Sequence, residues 1–268
     1  MTSELIKGRQ TPNMYGLLFV TGMIIGYYVI RSMFKSEGVA EKKLDTLLMY
    51  MVPGTIIGAR LGHVFFYDWS YYKNHLSDIP KVWEGGLASH GAAIVLLVML
   101  YVYSKRVSKT SFWWILDRVA APIAIAGCFI RLGNLVNQEI VGIPTDLPWG
   151  FRFSELAMQP DYLVDGKNVF RHPTQIYEAA MYLITFIVLF RMYWKTKAKE
   201  NEGKIFGMFM ILIWTSRFVI EFVKEGQSKF DAESTFLNTG QLLSIPFILL
   251  GVYLLLRKPK KEPTVITE

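Results

Sequence analysis

The stretch CFIRLGNLVNQEIVG, residues 128–142, ends an apolar run in side chains that can do chemistry: Arg131, Asn134, Asn137 and Glu139. Arginine stays charged and presents a planar fork that donates two parallel hydrogen bonds to a phosphate or carboxylate. Groups of the same kind recur along the chain: Tyr15 in NMYG, Arg60 in GARLGH, His90 in ASHGA, and Arg217 with Glu221 in RFVIE. HPTQIYE adds His172, Gln175 and Glu178. Gln175 and Glu178 are three apart, so they share a helical face, and the four-residue spacing of Arg217 and Glu221 allows an intrahelical ion pair. Histidine, with a near-neutral pKa, suits proton transfer. Arginines with one histidine fit the binding of a phosphate and the movement of a proton close to it.

The elements that must position these groups are membrane spans. The chain of 268 residues is 52% hydrophobic and 15% aromatic but only 19% charged, with a positive mean hydropathy, too apolar for an ordinary soluble domain of that size. A spanning helix needs about 20 apolar residues. Seven stretches qualify: roughly Tyr15 to Met33, Leu44 to Tyr67, Leu87 to Tyr103, Phe112 to Leu135, Pro173 to Trp194, Ile205 to Val223 and Gln241 to Leu256. The expected fold class is an all-α polytopic membrane protein, a single integral membrane domain over 1–268. Residues 136–172, punctuated by Pro, Gly and aromatics in PTDLPWGFRF and DYLVDGKNVF, are expected to form an extracytoplasmic cap insertion or short strands. The opening arm MTSELIKGRQTPN has no basic n-region and no small-residue cleavage site, so the first span reads as a retained helix.

The net charge of +7 does not point to nucleic acid, because Lys and Arg gather in segments that alternate along the spans. They are Arg31, Lys35, Lys42 and Lys43; Lys105, Arg106 and Lys109; Arg191, Lys195, Lys197, Lys199 and Lys204; and Arg257, Lys258, Lys260 and Lys261. All fall on one side, which the positive-inside rule makes the cytoplasm. The N-terminus is then outside and the C-terminus inside. Arg60, Arg131 and Arg217 map to the outer halves of their spans, whereas Arg118, beside Asp117 near the cytoplasmic start of the fourth, is expected to snorkel or pair locally. A charge at bilayer depth costs at least ~2.5 kcal/mol on insertion scales, so it persists mainly where it faces a cavity, a partner or a functional site. The outward convergence describes a polar cavity open to the outer leaflet, and an anionic phospholipid headgroup is the ligand that fits its chemistry and depth.

Several classes are disfavoured. There is no G-x-S-x-G, and Asp117 has no second aspartate in the interior of a span for aspartyl proteolysis. The four histidines, 63, 75, 90 and 172, are scattered, so no metal-ligand spacing arises, and no cofactor is called for. From charge and periodicity alone, a non-catalytic flippase or transporter of an anionic lipid stands beside an enzyme. A transporter would be expected to carry repeats and access from both sides; no repeat is evident, and the polar groups cluster outward.

At these residues the chain resembles the bacterial prolipoprotein diacylglyceryl transferases. RLGNLVNQEIVG looks like that family's signature, with Arg131, Gly133, Asn134, Asn137 and Glu139 in register. Other matching pieces are MYG at 14–16, GARLGHVFFY at 58–67, VWEGGLASHG at 82–91, RHPTQIYE at 171–178, RFVIEF at 217–222 and GQLLSIPFIL at 240–249. Three departures stand out. Ile130 replaces a glycine before the arginine, His90-Gly91-Ala92 replaces His-Gly-Gly, and the closing glycine falls at Gly142 only with a spacing of two residues.

The resemblance implies transfer of the diacylglyceryl group of phosphatidylglycerol to the lipobox cysteine thiol of a prolipoprotein signal peptide, forming a thioether and releasing glycerol phosphate. It implies a multi-pass protein of the bacterial cytoplasmic (inner) membrane with its site facing the outer leaflet. In such a reaction His90 would take the thiol proton, while Arg131 and Arg217 would hold the phosphate. Asn134, Asn137 and Glu139 would bind glycerol hydroxyls or orient Arg131; Glu221 would orient Arg217, and Tyr15 would close the pocket. Arg60 and Glu178 are further expected substrate-binding residues.

Overall fold

The computed structural model describes residues 14–226 and 237–257. The opening polar arm and the basic residues Lys258, Lys260 and Lys261 lie outside the described residues. Seven helices are long and apolar enough to cross a membrane: α1 (Met14–Ser36), α2 (Glu41–Phe66), α3 (Ser89–Tyr103, continued by a π-helical turn Ser104–Ser108), α4 (Phe112–Val136), α5 (Thr174–Lys195), α6 (Lys204–Ile220) and α7 (Thr239–Leu256). They differ from the hydropathy-based spans by a few residues. The exposed side chains of these helices include Leu17, Ile24, Ile57, Ile94, Ile187 and Leu249, the apolar exterior expected where lipid, and not water, is the solvent. The protein is an all-α polytopic membrane protein.

By compactness the described residues form two units, 14–30 with 117–226 and 237–257, and 31–116. In the first, α1 meets α4 through glycines. A Cβ at Gly22 would lie 2.9 Å from Phe129 Cβ, and one at Gly26 would lie 3.3 Å from the Pro122 carbonyl. Small residues allow such close backbone approach in membranes, where lipid supplies no hydrophobic drive between helices. The same device joins α6 to α7 at Gly207 and Gly251, and Trp214 stacks on Phe247 at 4.2 Å between centroids along that pair.

Helix ends are satisfied by distant side chains. Asp117, fully buried, accepts from the amides of Gly203 at 2.7 Å and Phe206 at 2.8 Å, capping the start of α6, where a carboxylate also meets the positive end of the helix dipole. Its neighbour Arg118 lies over the Tyr193 ring at 5.8 Å. α7 begins with a capping box: Asn238 Oδ1 accepts from Gln241 N at 2.9 Å, and Gln241 Oε1 accepts from Asn238 N at 3.1 Å.

The segment between α4 and α5, expected to form a cap or short strands, contains no strand among the described residues. It is built from 3₁₀ turns at Ser154–Met158 and Pro160–Tyr162 and isolated antiparallel bridges such as Gly142 with Lys224 and Phe151 with Arg171. Val141, Phe153 and Leu156 form its small core, with Leu135 and Tyr162 against it. Arg171 replaces a ladder as the tie: it is 3% exposed and donates to the carbonyls of Gly142 at 3.0 Å and Tyr162 at 2.9 Å.

The second unit rests on the α2–α3 pair. A Cβ on Gly91 would overlap the Gly58 carbonyl oxygen and lie 2.5 Å from the Gly62 Cα, so the two backbones touch. Tyr103 at the far end of α3 donates to the Lys43 carbonyl at 2.9 Å, fixing the other end of the pair.

Candidate active site

Within the first unit, the end of α4, the start of α5 and the end of α6 deliver a continuous polar network. Arg131 is the hub. Its Nε lies 3.0 Å from Glu178 Oε2, in a pair whose two side chains are 19% and 6% exposed. That oxygen accepts no hydrogen bond, so the contact is ionic. Arg131 Nη1 donates to Asn134 Oδ1 at 3.2 Å. Asn134 Nδ2 donates in turn to Glu139 Oε1 at 2.7 Å, and Asn137 Nδ2 reaches the same oxygen at 3.3 Å. The i, i+3 spacing puts Arg131 and Asn134 on one face of the last turns of α4, while Asn137 and Glu139 lie past its end. Tyr15 packs on the same turn: a Cβ on Gly133 would sit 2.7 Å from its ring.

Glu178 is shared. Its Oε1 accepts from Lys224 Nζ at 3.2 Å, with both side chains 6% exposed, and Lys224 also lies 3.9 Å from Glu221 Oε2. Lys224 is therefore a site residue that motif reading passed over. Its signal was present, because it is a lysine at the end of an apolar span, outside all four basic segments, and three residues after Glu221.

Glu221 is not held as its spacing suggested. No ion pair joins it to Arg217 among the described residues. It lies against the start of α7, where a Cβ on Gly240 would fall 2.5 Å from its carboxylate. A helix N-terminus favours a nearby carboxylate through its dipole. Arg217 instead lies over the Trp214 ring at 5.5 Å, and its buried Nε has no hydrogen-bond partner among the described residues. The indole competes for the guanidinium, and Lys224 takes the place opposite Glu221.

Arg60 and His90 belong to the second unit. Arg60 was expected at a substrate, but its side chain is occupied by the loop between α2 and α3. It donates to the carbonyls of Ile79 at 2.8 Å, Asp78 at 2.7 Å and Gly85 at 2.7 Å, lies over Tyr72 at 5.0 Å, and is 3% exposed. A guanidinium holding three carbonyls staples a loop. His90, in the first turn of α3, is exposed, and its ring has no hydrogen-bond partner among the described residues; Gly91 beside it is seated against Gly58 and Gly62. The imidazole is thus carried on a fixed backbone.

The profile of the prolipoprotein diacylglyceryl transferase family matches residues 6–257. The chain belongs to this family. Among its curated relatives, a phosphatidylglycerol–prolipoprotein diacylglyceryl transferase of Porphyromonas gingivalis is 46% identical, with 93% of this chain and 90% of that protein covered. The enzymes of the same name from Tolumonas auensis and Chloroherpeton thalassium are 41% and 39% identical, each covered over more than nine-tenths of its length. Family membership makes the chain a transferase, and the seven spans with bacterial relatives make it a multi-pass membrane protein.

Proposed function

We propose that this protein performs the first step of lipoprotein maturation, moving the diacylglyceryl group of phosphatidylglycerol onto the lipobox cysteine of a prolipoprotein signal peptide. The cysteine sulfur attacks the glycerol carbon that carries the phosphate ester. A carbon–sulfur bond forms, the carbon–oxygen bond breaks, and glycerol phosphate leaves with the electron pair. An unperturbed thiol has a pKa of about 8.5, and only its thiolate attacks, so a base is required, and His90 is assigned to take the proton. The charge developing on the leaving phosphate calls for fixed donors, a role assigned to Arg217 and Arg131.

The observation that carries the assignment is Arg217: a guanidinium in the second half of a span, with a buried Nε for which the described residues offer no acceptor. Arg131, already paired with Glu178, serves as the fixed wall of the phosphate site. Asn134, Asn137 and Glu139 are assigned to the glycerol hydroxyls or to Arg131, Tyr15 to closing the pocket, and Glu178 and Glu221 to setting the cations. The alternation of basic segments supports an N-terminus outside, a C-terminus in the cytoplasm, and a site on the outer leaflet of the inner membrane, under the cap at 136–172.

The test is transfer of labelled diacylglyceryl from phosphatidylglycerol to a lipobox peptide by wild type, Arg217→Ala and His90→Gln in detergent, with thermal unfolding measured alongside. Wild type is expected to yield thioether, and both variants to lose it while unfolding at the wild-type temperature. Full transfer by His90→Gln removes the base assignment. Wild type that binds the lipid and yields no thioether moves the reading to a lipid carrier without chemistry.

A further inference from the structure

The backbone around Glu139 is unusual. Gln138 and Ile140, on either side of it, have φ of +55° and +58°, the left-handed region in which an L side chain crowds its own carbonyl and in which a β-branched residue is a rare outlier. Two such residues separated by one turn the chain sharply at the end of α4. The turn brings Glu139 back to Asn134, whose carbonyl accepts from the Glu139 amide at 3.1 Å and whose side-chain amide donates to the Glu139 carboxylate.

Something outside the turn has to keep it there, and two consecutive side chains of α5 make contact at the right atoms. Gln175 Nε2 donates to the Glu139 carbonyl at 2.7 Å, and Thr174 Oγ1 donates to the Ile140 carbonyl at 2.9 Å. Both are fully buried. Strained residues of this kind persist where surroundings over-determine them, and they cluster at functional sites.

We propose that Gln175 and Thr174 are positioning residues for the transfer reaction: they clamp the Gln138–Ile140 turn so that Glu139 holds Asn134, and Asn134 holds Arg131. The inference rests on the reading that Arg131 serves the phosphate. It gives the buried pair in HPTQIYE a task other than touching substrate, and it makes the start of α5 the support of the signature at the end of α4.

The test uses the full-length protein. Gln175→Met keeps an unbranched side chain of similar length and removes the hydrogen bond. Losing one buried bond of this kind costs about tenfold in the population of the held state, so kcat is expected to fall about tenfold, with the lipid KM little changed. Glycine adopts positive φ freely, whereas alanine does not. Added to Gln175→Met, Ile140→Gly is therefore expected to recover most of the rate and Ile140→Ala none, although both remove the same side chain. Thr174→Val, nearly isosteric, is expected to act in the same direction as Gln175→Met.

Wild-type kcat in Gln175→Met, or equal effects of Ile140→Gly and Ile140→Ala, overturns the clamp. Amide hydrogen exchange across residues 134–142 reads the turn without reference to catalysis. Exchange is expected to quicken in Gln175→Met and to slow again with Ile140→Gly; unchanged exchange overturns the proposal. Should wild type transfer nothing, the functional reading fails and the exchange data still decide the clamp.

Discussion

Glu178→Gln is the sharpest perturbation of the site. It removes one negative charge while keeping the shape of the side chain, and that charge serves two cations, Arg131 at 3.0 Å and Lys224 at 3.2 Å. The Lys224–Glu178 pair is 6% exposed on both sides, so water cannot replace the lost partner. Breaking a buried pair from one side costs ~3–5 kcal/mol, chiefly from the charge left behind. For a chain of this size that is a fall of roughly 10 °C in unfolding temperature, from ~2–4 °C per kcal/mol. Lys224→Met removes one of the two cations and leaves Glu178 with Arg131. In the double variant a single cation is left without its carboxylate, so its cost is expected to be below the sum of the singles by at least ~1 kcal/mol, the size of coupling seen between groups in one network. The assay is reversible unfolding of the four proteins in mixed micelles of increasing denaturing detergent. Additive costs would refute the shared-carboxylate account, as would a Glu178→Gln protein as stable as wild type.

Three further outcomes follow from particular contacts. Gly91→Ala drives a Cβ into the Gly58 carbonyl oxygen, so it is expected to lower stability by about 1–3 kcal/mol through forced separation of α2 and α3; unchanged unfolding would contradict the backbone contact. Asp117→Ala leaves the Gly203 and Phe206 amides without their acceptor. A loss of about 2–4 kcal/mol is expected, with faster hydrogen exchange at those two amides as the local signature. At Asp78 in the loop between α2 and α3, Lys81 and then the Tyr71 hydroxyl hold the carboxyl below its ordinary range. Its contribution to stability is then present above the ordinary carboxylate pKa and is lost as pH falls through the lowered one. Carboxyl-carbon NMR should show a titration midpoint under 3.8 that rises in Lys81→Met; equal midpoints would dispose of the pair.

The spans were legible because twenty apolar residues in a row admit few structures in lipid. The same holds for the polar groups at the ends of α4 and α6 and the start of α5, which stood out as charges in apolar sequence. What was not legible depends on partners that sequence spacing does not encode. Arg60 looked like a ligand for phosphate, yet its acceptors are main-chain carbonyls at Asp78, Ile79 and Gly85, which every residue type carries. Asp117 looked like a local partner for Arg118, yet it caps a helix that begins 87 residues later. Arg217 and Glu221 had the spacing of a pair, but Trp214 draws the cation and the start of α7 draws the carboxylate. Lys224 was missed because it belongs to no motif, although a lysine at the end of an apolar span and outside the four basic segments needs something to hold it; here Glu178 does.

The glycine contact between α2 and α3 bears on traffic. A lipid entering or leaving must separate neighbouring helices widely enough to admit acyl chains. Where Gly58, Gly62 and Gly91 meet, not even a methyl group fits. Cα–H groups there face carbonyl oxygen directly, a weak bond repeated along the seam, and Tyr103 fastens the opposite end to Lys43. This pair is a closed wall, so substrate and product must pass between other helices, and a crosslink joining α2 to α3 should leave turnover untouched.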